Sequence, residues 1–169
     1  MNRGTGRRIS RQARDAAGET PLVVGWKEWA ALPKIGVKKI QAKMDTGART
    51  SALHAPRIAL FQKNDTAWVY FALDDDAPED IENLPHSAPL KDVRDVKSSS
   101  GHVERRYLIE TVLRLAKMEW PIEITLTDRS DMKSPLLIGR SAMAGRLVID
   151  PAKMFVTGGR RPRTTDDEE

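Results

Sequence analysis

The stretch "AKMDTGARTSALHA" (42–55) places Asp-Thr-Gly between an apolar run and a run of small and polar residues. Just upstream, apolar and polar side chains alternate across 37–44. This period of two predicts a half-buried strand that ends just before Asp45. An Asp-x-Gly tripeptide at a strand end most often forms a turn, because both residue types favour turns. Taken alone, the stretch leaves two alternatives open, an ordinary turn or a catalytic aspartate.

A second segment, "SPLLIGRSAM" (134–143), lies about 90 residues downstream of Asp45. Its apolar residues 136–138 predict a short buried strand. A short helical turn is expected after Gly139, through 140–145, and it is the only helix that the sequence predicts.

The rest of the chain has the short, alternating apolar runs that are typical of β-structure. Residues 74–92 contain three prolines and seven acidic residues, which predicts a long loop. The remaining predicted elements are strands over 68–73 and 147–149, and a hairpin with strands 107–115 and 122–127 around a turn at 116–119. This pattern favours an all-β barrel or sandwich.

Length and composition fit one domain. The chain has 169 residues, of which 40% are hydrophobic, and its net charge is +4. Residues 1–20 hold five arginines against two acidic residues, so much of the excess charge lies at one end and is weak evidence for nucleic-acid binding. We therefore expect a domain over 21–157 between two disordered tails, 1–20 and 158–169.

The same composition excludes several classes of protein. No apolar run approaches the roughly 20 residues of a membrane-spanning helix, and the first residues lack the apolar stretch of a secretory signal. The absence of cysteine excludes disulfides and thiol catalysis. We expect a cytoplasmic protein with no membrane partner.

Together, the two segments resemble the retropepsins, aspartic peptidases in which Asp-Thr-Gly-Ala is followed by an apolar-apolar-Gly segment that packs behind it. The resemblance is closest to the retropepsin-like peptidases associated with the glutamate ligase RimK, and it covers about residues 22–156. It implies a retropepsin-like barrel with one Asp-Thr-Gly lobe per chain and a homodimer. It also implies a glutamate-rich substrate, such as a modified tail of a ribosomal protein.

Under this resemblance, Asp45 is the catalytic residue and each copy of the homodimer contributes one. Two facing carboxylates share a proton, so that one polarises the scissile carbonyl while the other activates water. The resemblance implies that Thr46 forms a cross-bond to the second copy at the dimer axis. It also implies that Gly47 and Ala48, which are small, allow the substrate to approach closely.

The segment "VKSSSGHVERRY" (96–107) stands where a retropepsin carries the hairpin, or flap, that closes over substrate. Small residues at its tip suit a mobile loop, and Ser99, Ser100 and Gly101 are the candidate substrate contacts. The alternative is an exposed hairpin that contacts no substrate.

Two arginines depart from the viral pattern. Retroviral proteases carry an aspartate after Asp-Thr-Gly-Ala that pairs with the arginine of the Gly-Arg segment, whereas this chain has Arg49 there and keeps Arg140. Either Arg140 finds another acid, or one or both guanidinium groups face the binding groove, where they suit carboxylates. Lys97, Arg105 and Arg106 are further candidates for binding acidic side chains, unless they are surface charges or form internal pairs.

Metal and nucleotide sites are not expected. The sequence has no phosphate-binding loop and no His-Glu-x-x-His motif, and its three histidines are far apart.

Two rival functions remain open: a non-catalytic dimer that binds acidic tails, and a basic module that associates with RNA or the ribosome.

Overall fold

The computed structural model describes residues 20–98, 100–128 and 133–158, and strands dominate it. The strands are β1 (Leu22–Leu32), β2 (Val37–Met44), β3 (Ser51–His54), β4 (Arg57–Lys63), β5 (Thr66–Ala72), β6 (His86–Pro89), β7 (Asp92–Lys97), β8 (Val103–Leu115), β9 (Met118–Thr127), β10 (Leu136–Ile138) and β11 (Leu147–Met154). The helical parts of these residues are one short helix, α1 (Arg140–Met143), and two 3-10 turns, Pro33–Ile35 and Ile81–Asn83. The all-β prediction and the helical turn after Gly139 are confirmed.

The larger sheet closes on itself. Its strand order is β11-β1-β2-β10-β3-β9-β8-β7, and β1 pairs additionally with β8 through Ala30 and Leu115. This pairing joins β1, β2, β10, β3, β9 and β8 into a ring, and ring closure protects strand edges that would otherwise be free to pair with other chains. Strands β7 and β11 flank the ring.

The predicted hairpin forms part of the core. On β8, Ile109, Leu113 and Leu115 are fully buried, and Ile109 lies opposite the buried Ile124 of β9. The turn is shorter than the predicted 116–119, because Leu115 already pairs with Met118. The alternation of apolar side chains along both strands therefore indicated the correct buried face.

The prediction of a loop over 74–92 was wrong in part. Strand β6 pairs with β5 and completes a second, three-stranded sheet in the order β4-β5-β6, in which the buried Ala88 lies opposite the buried Val69. Proline is compatible with this position because β6 is an edge strand and Pro89 is its last residue. The acidic part of the segment is a loop, as predicted, and contains the short 3-10 turn Ile81–Asn83.

Strand β11 continues beyond the predicted 147–149, to Met154. It pairs in parallel with β1, and the register shifts between Gly25 and Lys27. Pro151 is tolerated because β11 lies at the edge of the sheet.

A buried glutamate holds the residues that follow β11. Glu28 of β1 has no solvent exposure. Its carboxylate accepts hydrogen bonds from the backbone N–H groups of Gly25 (2.8 Å), Val156 (2.9 Å) and Thr157 (3.3 Å), and from the Thr157 hydroxyl (2.9 Å). These four donors compensate for the cost of burying the carboxylate.

The two predicted tails lie almost wholly outside the described residues, which include only Thr20 of the first and Gly158 of the second. Within the described ranges, none of the helices has the length and apolarity needed to cross a membrane.

Candidate functional site

Asp45 follows the last residue of β2 and is half-buried. Its backbone N–H donates to the Ile138 carbonyl at 2.9 Å, and Ile138 pairs with Met44 in the parallel ladder between β10 and β2. The two segments singled out in the sequence therefore lie side by side, because β10 is one of the two strands hydrogen-bonded to β2.

The loop after Asp45 folds back on the carboxylate. The backbone N–H of Gly47 donates to Asp45 Oδ1 at 2.9 Å, and the Ala48 N–H approaches the Asp45 carbonyl at 3.4 Å. A Cβ atom at position 47 would lie 3.2 Å from Asp45 Oδ1, so a side chain there would press on the carboxylate. Glycine at position 47 therefore leaves the carboxylate in its place, whereas a larger residue would require the carboxylate to shift by a few tenths of an ångström.

Residues 139–141 support this loop from behind. The Arg140 and Ser141 N–H groups donate to the carbonyls of Ala48 (2.8 Å) and Arg49 (3.0 Å), and the Gly139 N–H donates to Ser51 Oγ at 3.0 Å. The Ser141 hydroxyl also donates to the Arg49 carbonyl, at 2.6 Å. The backbone around Asp45 is therefore held by a second segment almost a hundred residues away.

Gly139 is the closest point between the two segments. A Cβ atom there would lie 2.7 Å from the Thr50 carbonyl carbon and 2.8 Å from the Arg49 carbonyl oxygen. Both neighbours are backbone atoms, which cannot move aside as a flexible side chain can. Only glycine allows the loop and the 139–141 segment to pack at this distance.

Arg140 finds no acidic partner among the described residues, and a contact of its exposed guanidinium with substrate stays a prediction. Its Nη1 donates to the Thr46 carbonyl at 2.8 Å, so its partner is the backbone of the aspartate loop. Arg49 is exposed, and among the described residues neither arginine forms an ion pair with an acidic side chain. The guanidinium of Arg140 therefore takes the place of a salt bridge in fixing the loop.

The remaining predicted residues of the loop are accessible. Thr46 and Gly47 are exposed and Ala48 is half-buried. The cross-bond of Thr46 to a second copy and the contacts of Ala48 with substrate stay predictions.

The segment 96–107 forms the predicted hairpin, made of β7, a turn and the start of β8. Ser98 N–H donates to the His102 carbonyl at 2.8 Å and Gly101 N–H to the Ser98 carbonyl at 2.9 Å, with Gly101 at φ +85°. Ser100 and Gly101 are exposed at the tip, and Ser99 lies outside the described residues. Among the hydrogen bonds of the described residues none joins the tip to the Asp45 loop, so the role of the flap stays a prediction.

The arginines of the hairpin have acidic partners on the same hairpin. The exposed Arg105 lies 3.5 Å from Asp95, and Arg106 Nε donates to Glu104 at 2.9 Å. Glu104 also accepts a hydrogen bond from Thr127, which ties the half-buried Arg106 to the sheet. These pairs favour a structural role for Arg106, while Arg105 keeps an accessible guanidinium.

Two residues that position the loop were not predicted. Ser51 accepts from Gly139, and Ser141 donates to Arg49. A serine follows each motif closely, and serine side chains commonly form hydrogen bonds with nearby backbone groups. These two serines could therefore have been predicted to hold the loop. Serine is common enough at strand and helix starts that the signal is weak without the structure.

The histidines do not form a metal centre in the part of the chain that the structure describes, where no group of three His, Asp or Glu residues is arranged to hold an ion. His54 is buried at the end of β3, 3.7 Å from both Asp75 and Asp128. The predicted absence of a cofactor stays a prediction.

Comparison with known families agrees with this geometry. Residues 23–159 match the model of a family described as RimB-like, retropepsin-like aspartic endopeptidase RimB. A crystal structure of a protein of unknown function from Legionella pneumophila superposes with a TM-score of 0.65 at 26% identity, and the match covers 82% of this chain and 100% of that one.

Curated relatives carry a different name. The chain is 37% identical over 145 residues to a probable alpha-L-glutamate ligase from Shewanella halifaxensis, and 39% identical over 140 residues to one from Parasynechococcus marenigrum. Each match covers 83% of this chain but only 31% and 30% of the relative, so the chain spans about three tenths of their length.

Proposed function

Because this chain belongs to the RimB-like family of retropepsin-like aspartic endopeptidases, we propose that it hydrolyses peptide bonds in glutamate-rich tails. It does so as a homodimer, with Asp45 of each copy forming the catalytic pair. The observation that carries the proposal is the Asp45 carboxylate, half-buried at the end of β2 and oriented by the Gly47 N–H.

The chemistry requires two such carboxylates. Like charges a few ångströms apart cannot both ionise, so the pair keeps one proton at working pH. The ionised carboxylate takes a proton from water as the water attacks the carbonyl carbon, and the protonated one donates its proton toward the carbonyl oxygen. The hydrogen bond from Gly47 fixes one oxygen of each carboxylate, which leaves the other available to the water or the partner.

Two observations support an acidic substrate. Arg49 lies four residues after Asp45, exposed and without an acidic partner among the described residues. The curated relatives are named for glutamate ligation, and this chain matches a part of their length. Arginine binds carboxylates through paired N–H groups, so Arg49 from each copy would favour glutamate beside the scissile bond. A ribosomal protein tail is the substrate we propose to test, in the cytoplasm.

The test is the conservative substitution Asp45→Asn. It keeps the size of the side chain and the acceptor for the Gly47 N–H, but removes the shared proton. We expect cleavage of a peptide ending in a run of glutamates to fall by about 100- to 10 000-fold, the range of acid–base catalysis. The measurement is kcat/KM by chromatographic separation of products.

Asp76→Asn is the matched control, because Asp76 is exposed in the turn after β5, and no hydrogen bond or ion pair of the described residues joins it to the loop. Activity of Asp45→Asn close to that of the unsubstituted protein would exclude the aspartic mechanism. Binding of the peptide by the unsubstituted protein without any cleavage would instead support the non-catalytic dimer.

A further inference from the structure

A groove outside the candidate site combines aromatic, aliphatic and acidic side chains. It has a volume of about 770 Å³ and lies between β4, β5 and residues 79–82. Phe61 and Tyr70 line it with rings that stack 3.8 Å apart at an angle of 7°. Leu60 and Ile81 also line the groove, and they are 50% and 49% exposed. A soluble domain seldom groups exposed apolar side chains in a concave surface unless something covers them.

The acidic side of the groove holds two carboxylates with no partner among the described residues. Asp80 accepts from the Glu82 N–H (3.2 Å) and the Asn83 side chain (2.9 Å), so its carboxylate is occupied in capping the 3-10 turn. Glu79 and Glu82 are exposed, and in the described part of the chain their carboxylates form no ion pair or hydrogen bond. Their charge therefore faces the groove without internal compensation.

We propose that this groove docks a basic segment of a partner protein, in which arginine or lysine alternates with an aliphatic residue. A guanidinium group can lie over an aromatic ring and pair with a carboxylate at the same time. The aliphatic residue would cover Leu60 and Ile81. The groove thus selects a charge opposite to the one that Arg49 favours beside Asp45.

The groove is separate from the candidate site. Phe61 and Tyr70 belong to the three-stranded sheet, whereas Asp45 follows β2 of the larger sheet. Docking can therefore be measured without catalysis, and a failure of the proposed hydrolysis would leave this inference intact. Asp45→Asn is expected to bind the probe as the unsubstituted protein does.

The test uses the full chain and isothermal titration with the acetylated, amidated peptide Gly-Arg-Leu-Arg-Gly-Arg-Leu-Arg-Gly. The double variant E79Q/E82Q keeps side-chain size and removes both charges, and we expect it to weaken binding at least about tenfold. Ile81→Ser should weaken binding too, because it removes the apolar contact. Asp65→Asn, on the β4–β5 turn outside the groove, is the matched control and should not change binding.

Unchanged binding by E79Q/E82Q would overturn the proposal, and so would equal weakening by Asp65→Asn. Equal affinity for a peptide with citrulline in place of arginine would overturn it as well.

Two other occupants of the groove are also tested. If replacing the five arginines of residues 1–19 with glutamine tightens probe binding, the occupant is this chain's own basic segment. If E79Q/E82Q changes the mass measured by sedimentation, the occupant is a second copy. Either result would overturn docking of a partner protein.

Discussion

At the scale of single residues, the loop around Asp45 is specified by contacts that tolerate little change. Gly47 leaves room for the carboxylate, and Gly139 leaves room for the backbone of the facing segment. Arg49 differs from both, because its carbonyl accepts two hydrogen bonds from Ser141 while its side chain stays exposed. Its backbone is structural, and its side chain is free to affect specificity.

Arg49→Asp should therefore change substrate preference while leaving the loop in place. We expect the ratio of kcat/KM for a glutamate-rich peptide to that for a matched glutamine-rich peptide to fall about tenfold, the value of one charge-assisted contact. Lys38→Asp makes the same change of charge at an exposed position on β2 and should leave the ratio unaltered. An unchanged ratio in Arg49→Asp would remove the main support for an acidic substrate.

At the scale of elements, a charge network spans the outer face of the β8–β9 hairpin. Glu110 and Glu123 lie directly opposite one another, and Lys91 Nζ bridges them at 2.7 and 2.9 Å. Its hydrogen bonds with Glu110 and then Glu123 raise the pKa of Lys91, and the bond from Lys91 lowers the pKa of Glu110. Lys91 thus offsets a repulsion between like charges across the hairpin.

The lowered pKa of Glu110 sets the pH range of this contribution. The contribution is present above the ordinary value of 4.5 and is lost as the pH falls through the lower pKa of the folded protein. Lys91→Gln should therefore destabilise the protein slightly at about pH 7 and have a smaller effect at about pH 3, as measured by urea unfolding. The double variant K91Q/E110Q should recover most of the loss. A difference that grows on acidification would contradict this assignment.

The strands that the sequence predicted and those that it missed differ in which of their faces are buried. The β8–β9 hairpin and β2 bury one face, so their alternation is visible in the chain. Strand β3 (Ser51–His54) is buried along its whole length and includes Ser51 and His54, so it has no alternation to detect. Strand β6 depends on pairing with β5, a contact that its local composition does not indicate. For the site, the resemblance to retropepsins implied that the two motifs are in contact, but not that Arg140 would bind the Thr46 carbonyl.

At the scale of the whole molecule, one chain supplies one Asp45, and the proposed chemistry needs two. This predicts a specific result when subunits of the unsubstituted protein and of Asp45→Asn are mixed in equal amounts and allowed to exchange. Only about one quarter of the dimers then contain two aspartates, so activity per active subunit should fall by about half. Activity proportional to the amount of unsubstituted protein would show that one aspartate is sufficient.

The buried Glu28 has a consequence for where this domain ends. Its carboxylate is satisfied by donors at Val156 and Thr157, beyond the last strand, so a chain cut after Phe155 would leave the charge buried with only the Gly25 N–H. An uncompensated buried carboxylate commonly costs several kcal/mol. A fusion partner, linker or affinity tag on the C-terminal side must therefore be joined after Thr157, although the last strand ends at Met154. In a longer protein that contains this unit, a linker to a following domain can likewise begin only after Thr157.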